Sequence, residues 1–557
     1  MDCLDFSSVS IAGTPYLIVD EINILEDGDI ANTAYLKNAN EYLVEVAQDV
    51  ISTKHGDKTY IFTPDAVTKG SYIVSKAKNV TELPFYIQST LLNDKSIAIT
   101  SDVTLTEDLG TFAGTDRDTT IFGNGYTINA NGHGGVTVGD TTGQKFGFNT
   151  VTLKDFNTST VIDNKGDGVV SLTSVTLDNS NITNNNVLEL YGNNDFKKGF
   201  INGKTGNFNV KSGTTDIGND FTVNSKNITF DKNTVINNKG TITSTDKFSV
   251  QDGVVINNDG IINADLFNLG TAGTGVPSAV LNNSGTITAT NDFNLQKADL
   301  YNKVGGKIIL SYMQDLISCS SKVVNDGTIE MVNPSKIYNV GNSTTFLNGE
   351  TGLLKGNVTN SGVLNNKGII EGNIKNGISY GPTEYYGGTL TSNLDNITGK
   401  IDTFTDSSVF NVTGGTIAST DKISGIGKVN IVGDVTLNEL LNQCGPTTVE
   451  SGGKLIINYG STNIDKIFAE NGTLTFANNS TLDIQDKKVD LRSNDKVSIV
   501  APNLNLGVKE GGSIDFNDTK FNCQGVSINK LTLDTNGASW QVNDAQKVIS
   551  HSLITLN

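Results

Sequence analysis

The chain has 557 residues, enough for several domains or for one long repetitive one, and 59 of them are glycine. Hydrophobic residues make up 36%, too few for a compact α/β enzyme of this length and too many for a disordered chain. The net charge of −19 excludes nucleic acid as a partner, because no lysine or arginine cluster could displace phosphate counterions.

The amino terminus, MDCLDFSSVS, is acidic and shows neither the basic nor the apolar region of a signal peptide. No apolar run approaches the length of about 18 residues that a transmembrane helix requires. We therefore expect no membrane insertion by this chain itself. Either the protein stays inside the cell or its export signal lies outside this sequence.

Residues 1–92 are predicted to form a small β-rich unit. A tyrosine followed by aliphatic residues recurs there, as YLIV (16–19), YLVEV (42–46), YIF (60–62), YIV (72–74) and YIQ (86–88). A helix over 30–50 is the alternative, because Leu36, Leu43 and Val50 would share one helical face. A solenoid must cover its first open edge, so we expect this unit to act as a cap or accessory unit.

One nine-residue pattern, V-[I/L]-N-N-x-G-[T/I]-I-x, recurs four times in the middle of the chain. The copies are VINNKGTIT (235–243), VINNDGIIN (255–263), VLNNSGTIT (280–288) and VLNNKGIIE (363–371). The segments before NN and after Gly have strand composition. We expect Asn and Gly to supply the left-handed backbone of the turn between them.

A second signature follows within the same period, as DKFSV (246–250), DLFNL (265–269) and DFNL (292–295). Each unit of 20–25 residues thus holds three short strands separated by turns. This arrangement predicts an all-β fold, a right-handed parallel β-helix, of roughly 20 coils over residues 93–557.

Stacked coils place each position about 4.8 Å from its equivalent in the next coil. We therefore expect Asn237, Asn257 and Asn282 to stack and to hydrogen-bond as a ladder, which the substitution Asn257→Leu should break locally. The alternative is that NN only marks a flexible loop.

Two early segments, IAITSDVTLTEDLG (97–110) and TTIFGNGYTINANG (119–132), resemble the entry coils of pectin-lyase-like right-handed β-helices. The repeats and the unit Gly537–Ala538–Ser539–Trp540 resemble passenger regions of bacterial autotransporters and related adhesin-like surface proteins. This resemblance implies a fold much more strongly than an activity.

No catalytic, cofactor-binding or metal-binding residue is predicted. Gly132–His133–Gly134 matches the GHG triplet of polygalacturonases, but the D-D pair and R-I-K of that family are missing, so His133 is interpreted as a turn residue. Hydrolase chemistry needs two carboxylates, and no such pair stands out. Other candidates are interpreted as turn residues or as lacking a partner pattern: Arg117, Arg492, His55, His551 and the calcium-like DNKGDG (163–168). The scattered cysteines Cys3, Cys319, Cys444 and Cys523 are expected to be buried thiols.

The favoured function is a secreted or surface-exposed structural and binding module, associated with the outer membrane and recognising host or bacterial surface glycans or proteins. Binding would come from loops such as LSYMQDLISCSSK (310–322) and SYGPTEYYGGTL (379–390). The second loop carries Tyr380, Tyr385 and Tyr386, and is expected to pack on its own coil; stacking against a ligand is the alternative. The alternative function is a polysaccharide hydrolase or lyase, or a phage tailspike-like protein, with a carboxylate cleft. A fragment of a larger repeat protein is compatible with the first interpretation.

Overall fold

The structure is a computed structural model that describes residues 102–483, with gaps at 106–107, 113–118, 140–144, 159, 167, 272–277, 312–320, 334–336, 381–382, 460–471 and 478. Beyond that range it describes individual short segments. The chain divides into two compact units, unit 1 up to Asn268 and unit 2 from Thr288 onward, with the residues between them assigned partly to each.

Strands form nearly all of the regular structure in the described residues, and most of them pair in parallel as a β-solenoid. The predicted all-β parallel β-helix is therefore confirmed. The helical elements of the described residues are two 3₁₀ turns, Leu394–Asn396 and Thr420–Lys422. The boundary near residue 93, the coil number and the right-handed winding stay predictions.

The first part of unit 1 contains the tyrosine-rich strands that the sequence predicts. Strands Tyr16–Val19 and Leu43–Val46 pair in parallel, so the alternative helix over 30–50 is wrong at Leu43–Val46. Strands Ile51–His55, Lys58–Pro64 and Tyr72–Ala77 form an antiparallel sheet. The predicted strand at 86–88 lies outside the described residues, and the capping role stays a prediction.

The solenoid strands of unit 1 follow in chain order. They are Ile97–Ala98, Val103–Thr104, Gly110–Phe112, Thr119–Phe122, Thr127–Asn129, Val136–Val138, Lys145–Asn149, Thr152–Lys154, Thr160–Asn164, Val169–Thr173, Thr176–Asp178, Ser180–Asn184, Val187–Tyr191, Asn194–Val210, Thr214–Phe230, Val235–Asn238, Thr241–Val250 and Val255–Asn258. Strands Ile261–Leu269, Ala279–Asn283 and Thr286–Leu295 lie where the chain divides between the units.

Each turn of unit 1 contributes three strands, as predicted. Thr127 is in register with Thr152, 25 residues later, and Val235 with Val255, 20 residues later, which confirms the expected period. In the repeats, the second and third strands merge into one longer strand, such as Thr241–Val250, whose buried residues alternate with exposed or half-buried ones. The inward residues build the core. Phe248 stacks there on Phe267 with ring centroids 4.7 Å apart, and it meets Phe230 edge to face at 5.2 Å.

The strands of unit 2 continue the same construction. They are Ala298–Asn302, Lys307–Leu310, Lys322–Asn325, Thr328–Met331, Ile337–Val340, Thr345–Asn348, Leu353–Lys355, Asn357–Asn360, Val363–Asn366, Ile369–Glu371, Ile374–Asn376, Ile378–Tyr380, Glu384–Tyr386, Thr389–Asn393, Ile401–Thr403, Val409–Ile417, Ile423–Gly425, Lys428–Leu437, Asn442–Gln443, Pro446–Val449, Lys454–Ile457, Thr473–Phe476, Ser480–Asp483, Lys488–Asp490, Val497–Ile499, Asn503–Gly507, Ser513–Asp515, Lys530–Asp534 and Leu553–Leu556. One face of the unit is a separate parallel sheet that runs from Ile337–Val340 to Asn442–Gln443.

Besides the ladder predicted at the first Asn of the N-N pairs, a second ladder runs inside the solenoid, and in the repeats the second Asn of the pair forms it. In unit 1, the Nδ2 of Asn238 donates to the Oδ1 of Asn258 over 2.7 Å, and both side chains are fully buried. In unit 2, an unbroken ladder joins Asn283, Asn302, Asn325, Asn348 and Asn366, with each donor–acceptor distance 2.7–2.8 Å. Buried amides are tolerated because each finds a partner in the next turn.

The glycine of the repeat has a different role from the one expected. Gly240, Gly260 and Gly285 do not have positive φ, so the prediction of a left-handed turn at N-N-x-G is wrong. A Cβ on Gly260 would lie 2.2 Å from the carbonyl oxygen of Gly240, and one on Gly285 would lie 2.0 Å from that of Gly260. Glycine therefore recurs because successive turns approach too closely for a side chain. Left-handed backbone does occur at Asn124 and Gly125, outside the repeats, with φ of 51° and 85°.

Candidate functional sites

A two-stranded hairpin interrupts the solenoid of unit 2 between strands Ile374–Asn376 and Thr389–Asn393. Strands Ile378–Tyr380 and Glu384–Tyr386 pair antiparallel, whereas the strands on either side pair in parallel with neighbouring turns. Gly377, with φ of 115°, lets the chain leave the solenoid in a conformation that other residues rarely adopt. Two glycines then return it to the next strand.

The hairpin exposes aromatic side chains that the sequence analysis expected to pack on their own coil. Tyr385 is 55% exposed and Tyr386 is 38% exposed, and Glu384, the first residue of their strand, is exposed as well. Neighbouring residues of a strand point to opposite faces, so the two rings face different sides of the hairpin. The expectation that this loop packs on its own coil stays a prediction; the side chain of Tyr380 lies outside the described residues.

A row of polar residues crosses the outer face of unit 1 in register. Its members are Thr176, Asp195, Asp216, Asn237 and Asn257. The Nδ2 of Asn257 donates to the Oδ1 of Asn237 over 2.8 Å, and the Nδ2 of Asn237 donates to the Oδ1 of Asp216 over 2.6 Å. The stacking expected of Asn237 and Asn257 is confirmed, and this outer ladder ends on a carboxylate.

The two carboxylates of this row sit in adjacent turns and have different surroundings. Asp216 accepts the hydrogen bond from Asn237. Burial raises the pKa of Asp195, the nearby charges of Asp216 and Asp178 raise it further, and Lys197 at 3.9 Å opposes both. The row thus contains one carboxyl that holds its proton more strongly than usual beside one that accepts an amide donor.

A second cluster of charged residues on unit 1 centres on Glu189, which is half-buried. Its Oε2 accepts hydrogen bonds from the Nζ of Lys145 and the hydroxyl of Tyr191, each over 2.9 Å. Burial opposes ionisation of Glu189, but these two hydrogen bonds and the charges of Lys145 and Lys211 outweigh it and lower its pKa. Burial and the nearby Glu189 raise the pKa of Tyr191. The cluster satisfies its own charges, so it stabilises the outer face of the strands.

Sequence reasoning missed both clusters. Lys145 and Glu189 are 44 residues apart and two turns apart, so their contact depends on the register of three strands. The available signal was weaker: alternation such as V-L-E-L-Y marks Glu189 and Tyr191 as neighbours on the outer face.

The candidates set aside in the sequence take structural roles where they are described. His133 donates its backbone N–H to the carbonyl of Ala130, which confirms it as a turn residue, and its Nδ1 lies 3.8 Å from Asp108. In DNKGDG, Asp163 pairs with Lys165 at 3.1 Å. Cys444 is a half-buried thiol. The side chain of His55, and Arg117, Arg492, His551, Cys3, Cys319, Cys523 and the Gly537–Trp540 unit, lie outside the described residues.

Comparisons with known proteins do not assign the chain to a family. No family model matches it. No curated protein matches it either. The resemblance to pectin-lyase-like and autotransporter proteins is therefore supported as far as the parallel β-solenoid and its Asn ladders. Within the described residues, no group of three or more His, Cys, Asp and Glu side chains could hold a metal ion, and no helix is long and apolar enough to cross a membrane.

Proposed function

We propose that this chain is a surface-exposed or secreted structural and binding module, adhesin-like in its mode of action, that recognises glycans or proteins of host or bacterial surfaces. The hairpin Ile378–Tyr386 carries this proposal, because it lifts two tyrosine rings out of an otherwise regular parallel solenoid. Tyrosine supplies a large rigid contact area with a polar end at a low cost in conformational entropy.

The solenoid supports this role through its construction. Each turn packs against the turns before and after it, and these contacts make the solenoid a stable scaffold. Loops that leave such a scaffold can bind while the strands stay in place. The acidic composition and sparse arginine favour protein or sugar partners over nucleic acid or anionic lipid.

Binding of the labelled full-length chain to bacterial and host cells, and to immobilised surface glycans, tests the proposal. The variant carrying Tyr385→Ser and Tyr386→Ser should bind at least about 10-fold more weakly, as expected when aromatic anchors are removed from an interface. Tyr126→Ser is the matched control, because Tyr126 is 39% exposed on unit 1. Equal binding by all three proteins, or no binding by the unaltered chain, would overturn the proposal.

The extracellular location belongs to the same proposal and has its own test. Protease added to intact cells that produce the natural protein should cleave it while a cytosolic marker stays whole. Protection of the chain in intact cells, with cleavage after lysis, would argue against a surface role.

A second candidate function, a polysaccharide-acting hydrolase or lyase, is favoured by the register of Asp195 and Asp216. Adjacent strands lie about 4.8 Å apart, and retaining glycosidases hold two carboxyl groups about 5–5.5 Å apart. The raised pKa of Asp195 would suit a general acid, with Asp216 as the second carboxyl group. Cleavage of any member of a polysaccharide panel, lost in both Asp195→Asn and Asp216→Asn, would establish the enzyme; no cleavage would remove it.

A further inference from the structure

A shallow pocket of about 210 Å³ opens on the outer face of unit 2. It is lined by Asn282, Tyr301, Asn302, Lys303, Val324 and Asp326. Pockets for drug-sized ligands are usually about 300–1,000 Å³, so this one fits a ligand no larger than a single ring with its substituents.

The repeat itself brings these side chains together. Tyr301 and Val324 are in register on adjacent strands and are both half-buried on the outer face. Lys303 and Asp326 each follow the buried Asn of the ladder, at the turn of their strand. The backbone N–H of Asp326 donates to the carbonyl of Asn302 over 2.7 Å, and this hydrogen bond holds the two successive solenoid turns together at the pocket.

The lining combines an apolar surface with both basic and acidic groups. The ring of Tyr301 and the side chain of Val324 supply the apolar part, and the Nζ of Lys322 lies 5.4 Å from the ring centroid. Lys303, Lys322 and Asp326 make no ion pair within 4.0 Å with any residue in the described part of the chain. The charged groups of Lys303 and Asp326 are therefore available to a ligand, whereas the ammonium of Lys322 lies over the ring of Tyr301.

The local charge indicates which ligand would suit the pocket. Asp299 is in register with Lys322, so the carboxylates of Asp299 and Asp326 balance the ammonium groups of Lys303 and Lys322. A ligand with a net charge would therefore find no excess of opposite charge near the pocket. A neutral ligand with one C–H face and several hydroxyl groups would suit the ring of Tyr301 together with the charged groups of Lys303 and Asp326.

We propose that this pocket binds one neutral sugar residue of a surface glycan, with its C–H face against Tyr301 and Val324 and its hydroxyls on Lys303 and Asp326. The inference rests on the proposed function, since it names the ligand class of a binding module. It adds a site separate from the hairpin.

Ligand-observed NMR with the full-length chain and a panel of methyl glycosides tests the inference: neutral hexosides, N-acetylhexosaminides and hexuronides. We expect binding of at least one neutral glycoside, weakened about 10-fold or more by Tyr301→Ala and by Asp326→Asn. Tyr301→Phe should keep most of the affinity, because the ring remains. Tyr126→Ser, at an exposed tyrosine of unit 1, should leave monosaccharide binding unchanged. Unaltered circular dichroism and unfolding midpoints identify variants that have kept their fold.

The outcomes separate this inference from the proposed function. Binding of hexuronides alone, or binding that survives both Tyr301→Ala and Asp326→Asn, would overturn the neutral-sugar pocket. Cell binding that depends on the hairpin, with no methyl glycoside bound, would overturn the pocket and leave the binding module standing. Glycoside binding by a chain that attaches to no cell or glycan surface would support the pocket and count against the module.

Discussion

The Nδ2 of Asn348 donates to the Oδ1 of Asn366 over 2.7 Å, between residues that are 18 apart in sequence and one turn apart in space. Asn366 in turn donates to the hydroxyl of Ser392 over 2.9 Å, which ends this ladder. Each amide therefore depends on two turns besides its own. Its neighbour Asn365 is half-buried on the outer face of the same strand.

This contrast gives a paired prediction. Asn366→Leu should destabilise unit 2 by about 2–4 kcal/mol, because it removes the two buried side-chain hydrogen bonds that Asn366 makes with Asn348 and Ser392. Asn365→Leu should change stability by about 0.5 kcal/mol or less. Urea unfolding and hydrogen exchange of the flanking strands measure both. Equal effects of the two substitutions would show that the ladder contributes nothing beyond strand propensity.

The glycine positions make a second prediction. A Cβ on Gly368 would lie 2.2 Å from the carbonyl oxygen of Gly352 and 2.3 Å from that of Gly349, both backbone atoms. Gly368→Ala should therefore cost about 1–3 kcal/mol through overpacking. Gly139→Ala is the control, since its nearest neighbour would be 3.7 Å away. A thermal midpoint of Gly368→Ala equal to that of the unaltered chain would contradict the close-approach explanation.

The raised pKa of Asp195 leads to a prediction about how stability depends on pH. Its folded pKa lies above the ordinary value of 3.8, so the folded state keeps a proton that the unfolded state has already lost. The contribution of Asp195 to stability is present below pH 3.8 and falls as the pH rises through the raised folded pKa. Asp195→Asn should thus raise the urea midpoint at pH 7 more than at pH 3.5. Asp259→Asn, at an exposed turn, is the control; a variant less stable than the parent at pH 7 would refute the prediction.

Glu189 should behave in the opposite way. Its folded pKa is lowered, so the stability it contributes is present above pH 4.5 and is lost as the pH falls through the folded pKa. Removing the donor with Lys145→Met should raise the pKa of Glu189 and reduce stability at pH 7 by about 1 kcal/mol, after allowance for the exposure of the lysine. NMR titration of the Glu189 side chain reports the shift. An unchanged titration would show that Lys145 does not stabilise the carboxylate.

The cluster of three phenylalanines provides a test of the core. Phe248 is fully buried and lies between Phe230 and Phe267, whereas Phe200 is 39% exposed on the same unit. Phe248→Ala should cost about 3–5 kcal/mol because it leaves a cavity, and Phe200→Ala should cost less than about 1 kcal/mol. Calorimetric unfolding distinguishes them. Similar losses for both would mean that the ring column is not the centre of the unit.

The repeat allowed much of the fold to be predicted, because like residues recur wherever turns stack. Val235–Asn238 and Val255–Asn258 are in register, residue for residue, as the matching letters indicate. Sequence alone could not say which Asn of each pair faces inward, since strand alternation permits either phase. The buried Asn238 and the outer Asn237 each join a ladder, so hydrogen-bonded asparagines stack on both the inner and the outer face of the strand.

The candidate sites were harder to predict, because they depend on neighbours from other turns. Asp195 and Asp216 meet only if the intervening turn takes 21 residues, and the turn length varies along unit 1. The hairpin at Ile378–Tyr386 was visible as an interruption, but the exposure of its rings was not. The recurring glycine at 260 is explained by the close approach of the neighbouring turn and not by the left-handed backbone that the sequence suggested. Both constraints favour glycine, so the sequence does not distinguish them.

The register of the repeats has a bearing on how such a chain could evolve. Because the described pairings of the Val235–Asn238 strand join it only to the turn before and the turn after, a whole period could be duplicated or lost by unequal recombination without altering the contacts of its new neighbours. The reach of the molecule would then be a heritable variable, adjustable in steps of one period while each loop keeps its own geometry.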